Sequence, residues 1–371
     1  MNGRDEERRR LREGVTALIE RLADGGRDDA ARDALLLEVL AWQRRQVAPY
    51  ARIVDGAADA ALLSAPAVPT DVFRFTRVAA HDPTQDAVVF RTSGTTAADR
   101  GTHALRDLFL YDRAARAAAR HALFCDREQM RLLILAPRAE QARDSSLSYM
   151  LSRFDAWFGQ GRGVFAWRGD ARSGSLDVQA LVAALSRAQD EGEPLAVLGT
   201  SFAFVHADEA LGEQRFRLPA GSRVMQTGGF KGRSREVEPS VMRALIAARF
   251  GVPESHVVAE YGMTELSSQM YETTLRQALR GEATHPAAPR RLWIPGWVRA
   301  TPVDPERLSP LPEGEVGILR IDDLANLDTA CAIQTSDLAQ RVGDGIELLG
   351  RAPGAVPRGC SIAVDAALGA R

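Results

Sequence analysis

Residues 224–265 decide the fold, and they read VMQTGGFKGRSREVEPSVMRALIAARFGVPESHVVAEYGMTE. A short apolar run at Val224–Gln226 is followed by a pair of glycines, and a second such run lies at Val257–Ala259. Between them, Pro239–Phe250 has a proline at its start and Gly251 just past its end, which is typical of a well-bounded helix. Strand, loop, helix and strand in this order indicate an α/β fold with parallel strands.

The same alternation continues upstream and downstream of this stretch. Further strand-length apolar runs lie at Ala87–Phe90, Leu132–Ala136 and Leu195–Leu198. Further helical patterns lie at Ser145–Phe158, Val178–Gln189 and Thr264–Arg280. The sequence therefore predicts an α/β core with parallel-rich sheets flanked by helices.

The two ends of the chain have different patterns, which divide it into three regions. Apolar residues at helical spacing predict helices over residues 5–22 and about 28–42, so residues 1–84 are expected to be a helical region. Residues 85–300 form the predicted α/β core. Residues 301–371 are expected to form a small β-rich subdomain, with strands at Glu315–Ile321, Ile346–Leu349 and Ser361–Val364 and a turn at Gly343–Asp344–Gly345.

Composition excludes several classes of protein. The 371 residues are 45% hydrophobic and 26% charged, and their formal net charge of −2 gives no general attraction to nucleic acid or anionic membranes. No apolar run reaches the roughly 18–20 residues of a membrane span. The three cysteines form no CxxC pair, and the charged start MNGRDEERRR lacks the apolar core of a signal peptide. We therefore expect a reduced, cytoplasmic setting.

Two loops that follow predicted strands could bind phosphate. In the first, Ser93-Gly94-Thr95-Thr96, a glycine flanked by hydroxyls can direct N–H and O–H groups at an anion, although an ordinary turn explains it too. In the second, Gly228 and Gly229 allow close approach of a ligand to the backbone, and Lys231 adds positive charge. Lys231 is the one lysine among 47 basic residues, and a surface lysine on a tight turn is the alternative.

Two further segments could contact a nucleotide. Glu260-Tyr261-Gly262-Met263-Thr264-Glu265 offers an aromatic face for a base, and its Thr and Glu could meet a phosphate and its metal ion, or simply cap a helix. Asp337 in TSDL could accept both hydroxyls of a ribose, with Arg351 in the later GR pair reaching the same sugar or a phosphate. A role for Asp337 as a turn residue is the alternative.

The order SGTT, YGMTE, TSDL and GR resembles the adenylate-forming, acyl-activating superfamily, whose members join a carboxylate to AMP. The chain is also similar to the LuxE-type acyl-protein synthetases of bacterial bioluminescence. The similarity lies in the segment TGGFKGRSREVEP, in the later segment EYGMTELSSQMYE, and in RGCS near the C-terminus. This resemblance extends over residues 85–362. It implies a large adenylate-forming α/β domain with a small β-rich C-terminal part, and no room for the mobile C-terminal domain of longer members.

The resemblance also implies roles for individual residues, with ATP and Mg²⁺ as cofactors. It makes Ser93, Gly94, Thr95 and Thr96 the phosphate loop, with Gly228 and Gly229 beside the nucleotide. Tyr261 and Gly262 would contact the adenine, Thr264 the α-phosphate, and Glu265 the metal ion. Asp337 would bind the ribose, Arg351 would be the hinge arginine, and Cys360 would accept the acyl group.

Two departures from the family pattern affect the predicted cation. After Thr96 the chain reads Ala97-Ala98-Asp99-Arg100-Gly101, where relatives have a glycine and a lysine, so Arg100 is a candidate for the missing charge. Lys231 is the candidate for the catalytic cation that the mobile domain supplies in longer members.

A third segment could line an acyl pocket. Thr200, Phe202, Phe204 and His206 follow the predicted strand Leu195–Leu198, although packing in the core explains this apolar segment as well. His103, which follows the phosphate loop, could touch substrate, or it could be structural.

The favoured function is ATP-dependent activation of a carboxylic acid, of fatty or related acyl type, followed by transfer to a thiol such as that of Cys360. One alternative keeps the adenylation but transfers the acyl group to coenzyme A, a carrier protein or an amine. The other is an inactive accessory subunit that binds acyl-AMP or a partner enzyme. The partners expected are the acid and an acyl-acceptor protein, or a reductase or thioesterase.

Overall fold

A computed structural model describes residues 3–92, 100–170, 173–228, 238–282, 289–352 and 358–369, with backbone alone at 358–362. The helices are α1 Gly3–Leu22, α2 Asp29–Gln46, α3 Ala48–Ile53, α4 Val72–Phe75, α5 Phe109–Ala122, α6 Ser146–Phe158, α7 Val178–Glu191, α8 Ser201–Leu211, α9 Pro239–Phe250, α10 Thr274–Leu279 and α11 Arg358–Leu368. The strands are β1 Val68–Pro69, β2 Val88–Arg91, β3 Thr102–Leu105, β4 Arg131–Leu135, β5 Val164–Phe165, β6 Trp167–Arg168, β7 Ser175–Leu176, β8 Leu195–Thr200, β9 Arg223–Thr227, β10 Val257–Tyr261, β11 Met270–Glu272, β12 Leu292–Trp293, β13 Val298–Val303, β14 Val316–Asp323, β15 Ala332–Val342 and β16 Gly345–Arg351. Among the described helices, none is long and apolar enough to cross a bilayer.

The described residues belong to two compact units, each made of separate stretches of chain. Unit 1 draws on Met1–Ala118, Met263–Gln269 and Arg291–Arg371, and unit 2 draws on Ala119–Gly262 and Met270–Arg290. The three regions 1–84, 85–300 and 301–371 remain a prediction about folding domains.

Unit 2 contains a mostly parallel sheet. The strands β10, β9, β8, β4 and β5 run parallel in that order, and β11 is added antiparallel to β10. A buried cluster that includes Val197, Phe204, Val224 and Phe250 covers one face with α7, α8 and α9. The carboxyl ends of β8, β9 and β10 are in register, since Thr200 pairs with Thr227 and Thr227 pairs with Glu260. The predicted α/β class with a parallel sheet is confirmed.

Unit 1 contains an antiparallel sheet in the order β13, β14, β15, β16 and β12, with β1 parallel to β15 and a separate β2–β3 hairpin. The helix α2 is fixed to this unit by Gln43, whose buried amide donates to the carbonyl oxygens of Asn326 and Leu327. The Gln43 side chain also accepts a hydrogen bond from the amide of Cys331. These buried contacts hold the loop before β15 in place.

Helix ends with a local signal fall where the sequence predicts them. In α9, Pro239 is the first residue and the Glu238 side chain accepts hydrogen bonds from Ser240 and Val241 amides. Gly251 ends the helix at φ +65°, where a Cβ atom would lie 2.7 Å from the carbonyl oxygen of Phe216. The N-terminal helices over residues 5–22 and 28–42 are confirmed as α1 and α2.

Two secondary-structure predictions are wrong, and one alternative is excluded. Thr264–Arg280 is not one helix but a turn, the strand β11 and the short helix α10. The strand expected at Ser361–Val364 is part of the helix α11, whose later turns pack against α3 through the hydrogen bond from Arg52 Nε to the carbonyl oxygen of Ala367. Asp337 lies within the strand β15 rather than in a turn. In each case, tertiary contacts override a weak local pattern.

Candidate active site

The EYGMTE motif forms a β-turn rather than the start of a helix. The strand β10 ends at Tyr261, and a turn is then closed by the hydrogen bond from the Leu266 amide to the carbonyl oxygen of Met263, at 3.2 Å. Thr264 and Glu265 are its two central residues, so a role as helix cap is excluded for Thr264. Their backbone carbonyl groups have no partner within such a turn and must find one elsewhere.

His103 provides the partner for the first of these carbonyl groups. Its Nδ1 atom lies 2.7 Å from the carbonyl oxygen of Thr264, and its Nε2 atom lies 3.0 Å from Oγ1 of Thr329. A carbonyl oxygen can only accept a hydrogen bond, so the Nδ1 atom of His103 must carry the proton. Burial lowers the pKa of His103 to about 4, which leaves Nε2 free to accept from the Thr329 hydroxyl. The structural interpretation of His103 is therefore the correct one.

Asn326 provides the partner for the second carbonyl group. Its Nδ2 atom donates to the carbonyl oxygen of Glu265 at 2.8 Å and to that of Ala330 at 3.0 Å. Asn326 and Glu265 are both buried. Both central carbonyl groups of the turn are thus held by buried side chains that come from other parts of unit 1.

A buried carboxylate holds the residues that follow the turn. Asp323 accepts hydrogen bonds from the amides of Ser267 and Ser268, at 3.0 and 2.8 Å, and from the Ser268 hydroxyl at 2.7 Å. Trp297 Nε1 donates to the same hydroxyl oxygen at 3.0 Å. Burial raises the pKa of Asp323, and these hydrogen bonds act in the opposite direction.

Asp337 and Arg351 lie side by side on adjacent strands. They are paired in the antiparallel register of β15 and β16, and Arg351 Nε lies 3.3 Å from Oδ1 of Asp337. The Asp337 side chain is 16% exposed and that of Arg351 is 78% exposed. The sequence predicted a shared target for these two residues, and the fold does bring their charged groups together.

In unit 2, the ends of β9 and β10 carry the glycines that the sequence singled out. Gly228 follows β9 at φ +71°, a conformation that glycine adopts without strain, and its carbonyl oxygen accepts a hydrogen bond from Ser201 Oγ at 2.9 Å. Tyr261 ends β10, where it pairs with Met270, and Tyr261 and Gly262 are both partly exposed.

Glu260 is a buried carboxyl group that the sequence analysis missed. It precedes Tyr261 in β10, and the Thr227 hydroxyl on β9 donates a hydrogen bond to it. Burial raises the pKa of Glu260 to about 7, and the Thr227 hydrogen bond acts in the opposite direction. Its sequence signal was a carboxylate directly after the apolar run Val257–Ala259.

The predicted acyl-pocket residues have different surroundings. Thr200 caps α8, since its hydroxyl accepts from the Ala203 amide at 3.1 Å. Phe204 is buried, and the centroid of its ring lies 6.2 Å from that of Phe250, so it packs in the core. Phe202 and His206 contact each other on a more exposed face of α8, and their ring centroids are 4.3 Å apart.

Several predicted site residues lie outside the described part of the chain. They are Ser93, Gly94, Thr95, Thr96, Gly229 and Lys231. Cys360 lies in the first turn of α11, where the backbone alone is described. Arg100 is described, and its guanidinium donates to the carbonyl oxygens of Thr92 and Arg91.

Among the described residues, no three His, Cys, Asp or Glu side chains cluster as a metal site. A Mg²⁺ ion bound with a nucleotide typically takes one or two carboxylates, the phosphates and water, so a single Glu265 carboxylate is compatible with such an ion.

Comparison with known proteins assigns the chain to one family over most of its length. The family described as "Acyl-protein synthetase, LuxE" matches residues 43–369. A curated relative, the long-chain-fatty-acid–luciferin-component ligase of Vibrio harveyi, is 20% identical over 255 residues, which are 66% of this chain. The matched stretch spans only 62% of that relative.

Solved structures show the same fold. The 2-hydroxyisobutyryl-CoA ligase in its postadenylation state with 2-HIB-AMP has a TM-score of 0.63 and 14% identity, covering 87% of this chain and 67% of that chain. An open conformation of the same ligase, with 2-HIB-AMP and CoA, has a TM-score of 0.59 and 16% identity, covering 87% and 75%. At such identities the likeness shows the adenylate-forming fold alone.

Proposed function

The chain belongs to the LuxE acyl-protein synthetase family, and from this we propose that it activates a carboxylic acid with ATP and passes the acyl group to a thiol. In the first step, a carboxylate oxygen attacks the α-phosphorus of ATP and pyrophosphate leaves, which gives the acyl-adenylate. In the second step, a thiolate attacks the acyl carbonyl carbon and AMP leaves, which gives the thioester. The acid proposed is of fatty or related acyl type.

The observation that carries the proposal is the pairing of Asp337 with Arg351. These residues, from separate sequence motifs, lie next to each other on β15 and β16 of an adenylate-forming fold. A carboxylate can accept two hydrogen bonds from vicinal hydroxyls, and the exposed guanidinium beside it can bind a phosphate. We assign Asp337 to the ribose and Arg351 to the same nucleotide.

Residues with other proposed roles occur in each unit. In unit 1, the Thr264 hydroxyl would contact the α-phosphate, and the Glu265 carboxylate would hold Mg²⁺, which neutralises phosphate charge. In unit 2, Tyr261 and Gly262 would contact the adenine, with Gly228 close to the nucleotide. Phe202, His206 and Thr200 would face the acyl group, whereas Phe204 would support them from the core.

The four residues of the SGTT loop, Gly229 and one cation complete the proposed nucleotide contacts. Ser93, Gly94, Thr95 and Thr96 would bind phosphate through backbone and hydroxyl groups, with Gly229 next to Gly228. Lys231 is proposed as the cation beside the reacting phosphate. Lys231→Arg should then lose adenylation although it keeps the charge, because a planar guanidinium does not replace a compact ammonium. Full activity of that variant would assign Lys231 to the surface.

Cys360 is the proposed acyl acceptor. It lies in the first turn of α11, and helix N-termini favour the thiolate, which is the nucleophilic form. Cys360→Ser should keep the first step but abolish hydroxylamine-sensitive labelling of the protein by a radioactive fatty acid with ATP. Labelling that survives the substitution would move the acceptor elsewhere.

Acid-dependent exchange of pyrophosphate into ATP tests the whole proposal. We expect exchange with at least one acid in a panel of aliphatic and aromatic carboxylic acids. If exchange occurs but the protein is never labelled, the acyl group goes to coenzyme A, a carrier protein or an amine. If no acid supports exchange although ATP binds, the chain is an accessory acyl- or nucleotide-binding subunit.

A further inference from the structure

The turn that presents Thr264 and Glu265 depends on hydrogen bonds from outside itself. Its own closing bond, from the Leu266 amide to the Met263 carbonyl oxygen, leaves the two central carbonyl groups unpaired. A buried carbonyl group without a partner is costly, so whatever pairs with it also fixes the orientation of its peptide plane. His103 and Asn326 provide these two bonds, at 2.7 and 2.8 Å.

These two donors are themselves held rigidly. The His103 ring is fully buried, its Nε2 atom accepts from Thr329, and the ring edge meets Phe73 with centroids 5.9 Å apart. The Asn326 amide is shared between the carbonyl oxygens of Glu265 and Ala330. If either donor turned away, it would also lose its second hydrogen bond, to Thr329 Oγ1 for His103 and to the Ala330 carbonyl oxygen for Asn326.

We propose that His103 and Asn326 are positioning residues for adenylation, which set the orientation of the Thr264–Glu265 turn through its two central carbonyl groups. This inference rests on the proposed function, since it takes Thr264 and Glu265 as the groups that meet the phosphates and metal ion. Neither positioning residue touches the substrate. They act by holding the Thr264 and Glu265 side chains on a turn that the hydrogen bond from the Leu266 amide to the Met263 carbonyl oxygen closes.

Positioning predicts loss of rate rather than loss of binding. In His103→Phe and Asn326→Leu, the turn carbonyls lose their donors, and kcat for pyrophosphate exchange should fall about 10- to 100-fold. The KM for the acid should change less than about threefold, because no acid contact is removed. Amide hydrogen exchange of the peptide spanning 263–268 should become faster in both variants, which is a readout independent of activity.

Conservative and matched variants separate positioning from a general loss of stability. Asn at position 103 places its amide nitrogen where histidine has Nδ1, so His103→Asn should restore the slow exchange of 263–268 and most of kcat. His256 is the matched control in unit 2, since its Nδ1 atom also pairs with a backbone carbonyl oxygen, that of Ser222, at 2.9 Å. His256→Phe should leave both the 263–268 exchange and kcat unchanged.

The outcomes distinguish this inference from the proposed function. Positioning is wrong if His103→Phe and Asn326→Leu lower the melting temperature but keep kcat and the slow exchange of 263–268. If His103→Phe does not fold, His103→Asn and Asn326→Leu decide the question by the same two readouts. If the wild-type protein supports no pyrophosphate exchange, the proposed function fails, and this inference fails with it as a statement about catalysis, whatever the hydrogen exchange shows.

Discussion

Two buried carboxyl groups, one in each unit, are stabilised in very different ways. Asp323 in unit 1 accepts from the Ser267 and Ser268 amides and from the Ser268 hydroxyl. Glu260 in unit 2 has, among the described residues, the Thr227 hydroxyl as its one hydrogen-bond partner. Burial raises the pKa of both, and that of Glu260 reaches about 7. The difference lies in the number of donors: Asp323 anchors two backbone amides and a hydroxyl of residues 267 and 268, whereas the charge of Glu260 is compensated by one hydroxyl.

Substitution of Asp323 should have the largest effect on the stability of the fold. In Asp323→Asn the amide nitrogen replaces either Oδ2, which accepts from the Ser267 and Ser268 amides, or Oδ1, which accepts from the Ser268 hydroxyl and the Ala325 amide. In both orientations at least one buried N–H group loses its acceptor. We expect the free energy of unfolding to fall by about 3 kcal/mol at pH 7, measured by urea denaturation.

The control for this effect is Asp304→Asn. Asp304 also accepts from two backbone amides, those of Glu306 and Arg307, at 2.9 and 2.7 Å, but it is accessible to water. A much smaller loss is expected there, because water can replace the lost acceptor. Equal losses in the two variants would mean that the buried position of Asp323 adds nothing.

Substitution of Glu260 should change the stability in the opposite direction, and the size of this change should depend on pH. A folded-state pKa of about 7 lies above the ordinary glutamate value of 4.5, so the folded protein binds the proton more tightly than the unfolded chain. The stability that this proton provides is fully present below about pH 4.5 and is lost as the pH rises through 7. Glu260→Gln removes the titration, so its stability relative to wild type should increase by roughly 3 kcal/mol between pH 4 and pH 8.

Urea denaturation at a series of pH values measures this difference. A difference for Glu260→Gln that does not vary between pH 4 and pH 8 would contradict the raised pKa. It would then remove the contrast between Glu260 and Asp323.

Asp337, for which we propose ribose binding, forms a third case, because this carboxylate faces an exposed partner rather than a buried one. Asp337→Ala should weaken ATP binding by roughly 1.5–3 kcal/mol, since a charge-assisted pair of hydrogen bonds is lost. Calorimetric titration of the folded variant with ATP measures the change. Unchanged affinity would mean that Asp337, like Asp323, is a structural group.

Local signals explain which parts of the fold the sequence could predict. Pro239, the carboxylate of Glu238 and Gly251 fix both ends of α9 within a few residues, and the prediction is confirmed. Nothing local marks residues 264–280 as a turn, a strand and a short helix, because β11 exists through its pairing with β10. The helix α11 likewise depends on packing against α3, which is far away in sequence.

The site shows the same division between local and distant information. The motif order predicted Asp337 and Arg351 as partners, because both lie in recognisable segments. The groups that hold the turn could not be predicted, since His103 and Asn326 meet residues 264 and 265 from more than sixty positions away, without a motif of their own. Glu260 was missed because nothing in the EYGMTE motif indicates that its first residue is buried beside the Thr227 hydroxyl.

Thr227→Val is the smallest and the most specific test of the contrast between the two carboxyl groups. Valine keeps the shape of threonine but removes the hydroxyl that donates to Glu260. At pH 5 the Glu260 carboxyl is neutral, and the lost hydrogen bond should cost about 1 kcal/mol. At pH 8 it is charged, a hydrogen bond to a charged group is worth more, and the cost should rise to about 2 kcal/mol. In the Glu260→Gln background the cost of Thr227→Val should no longer depend on pH, and a pH dependence that persists there would have to come from a group other than Glu260.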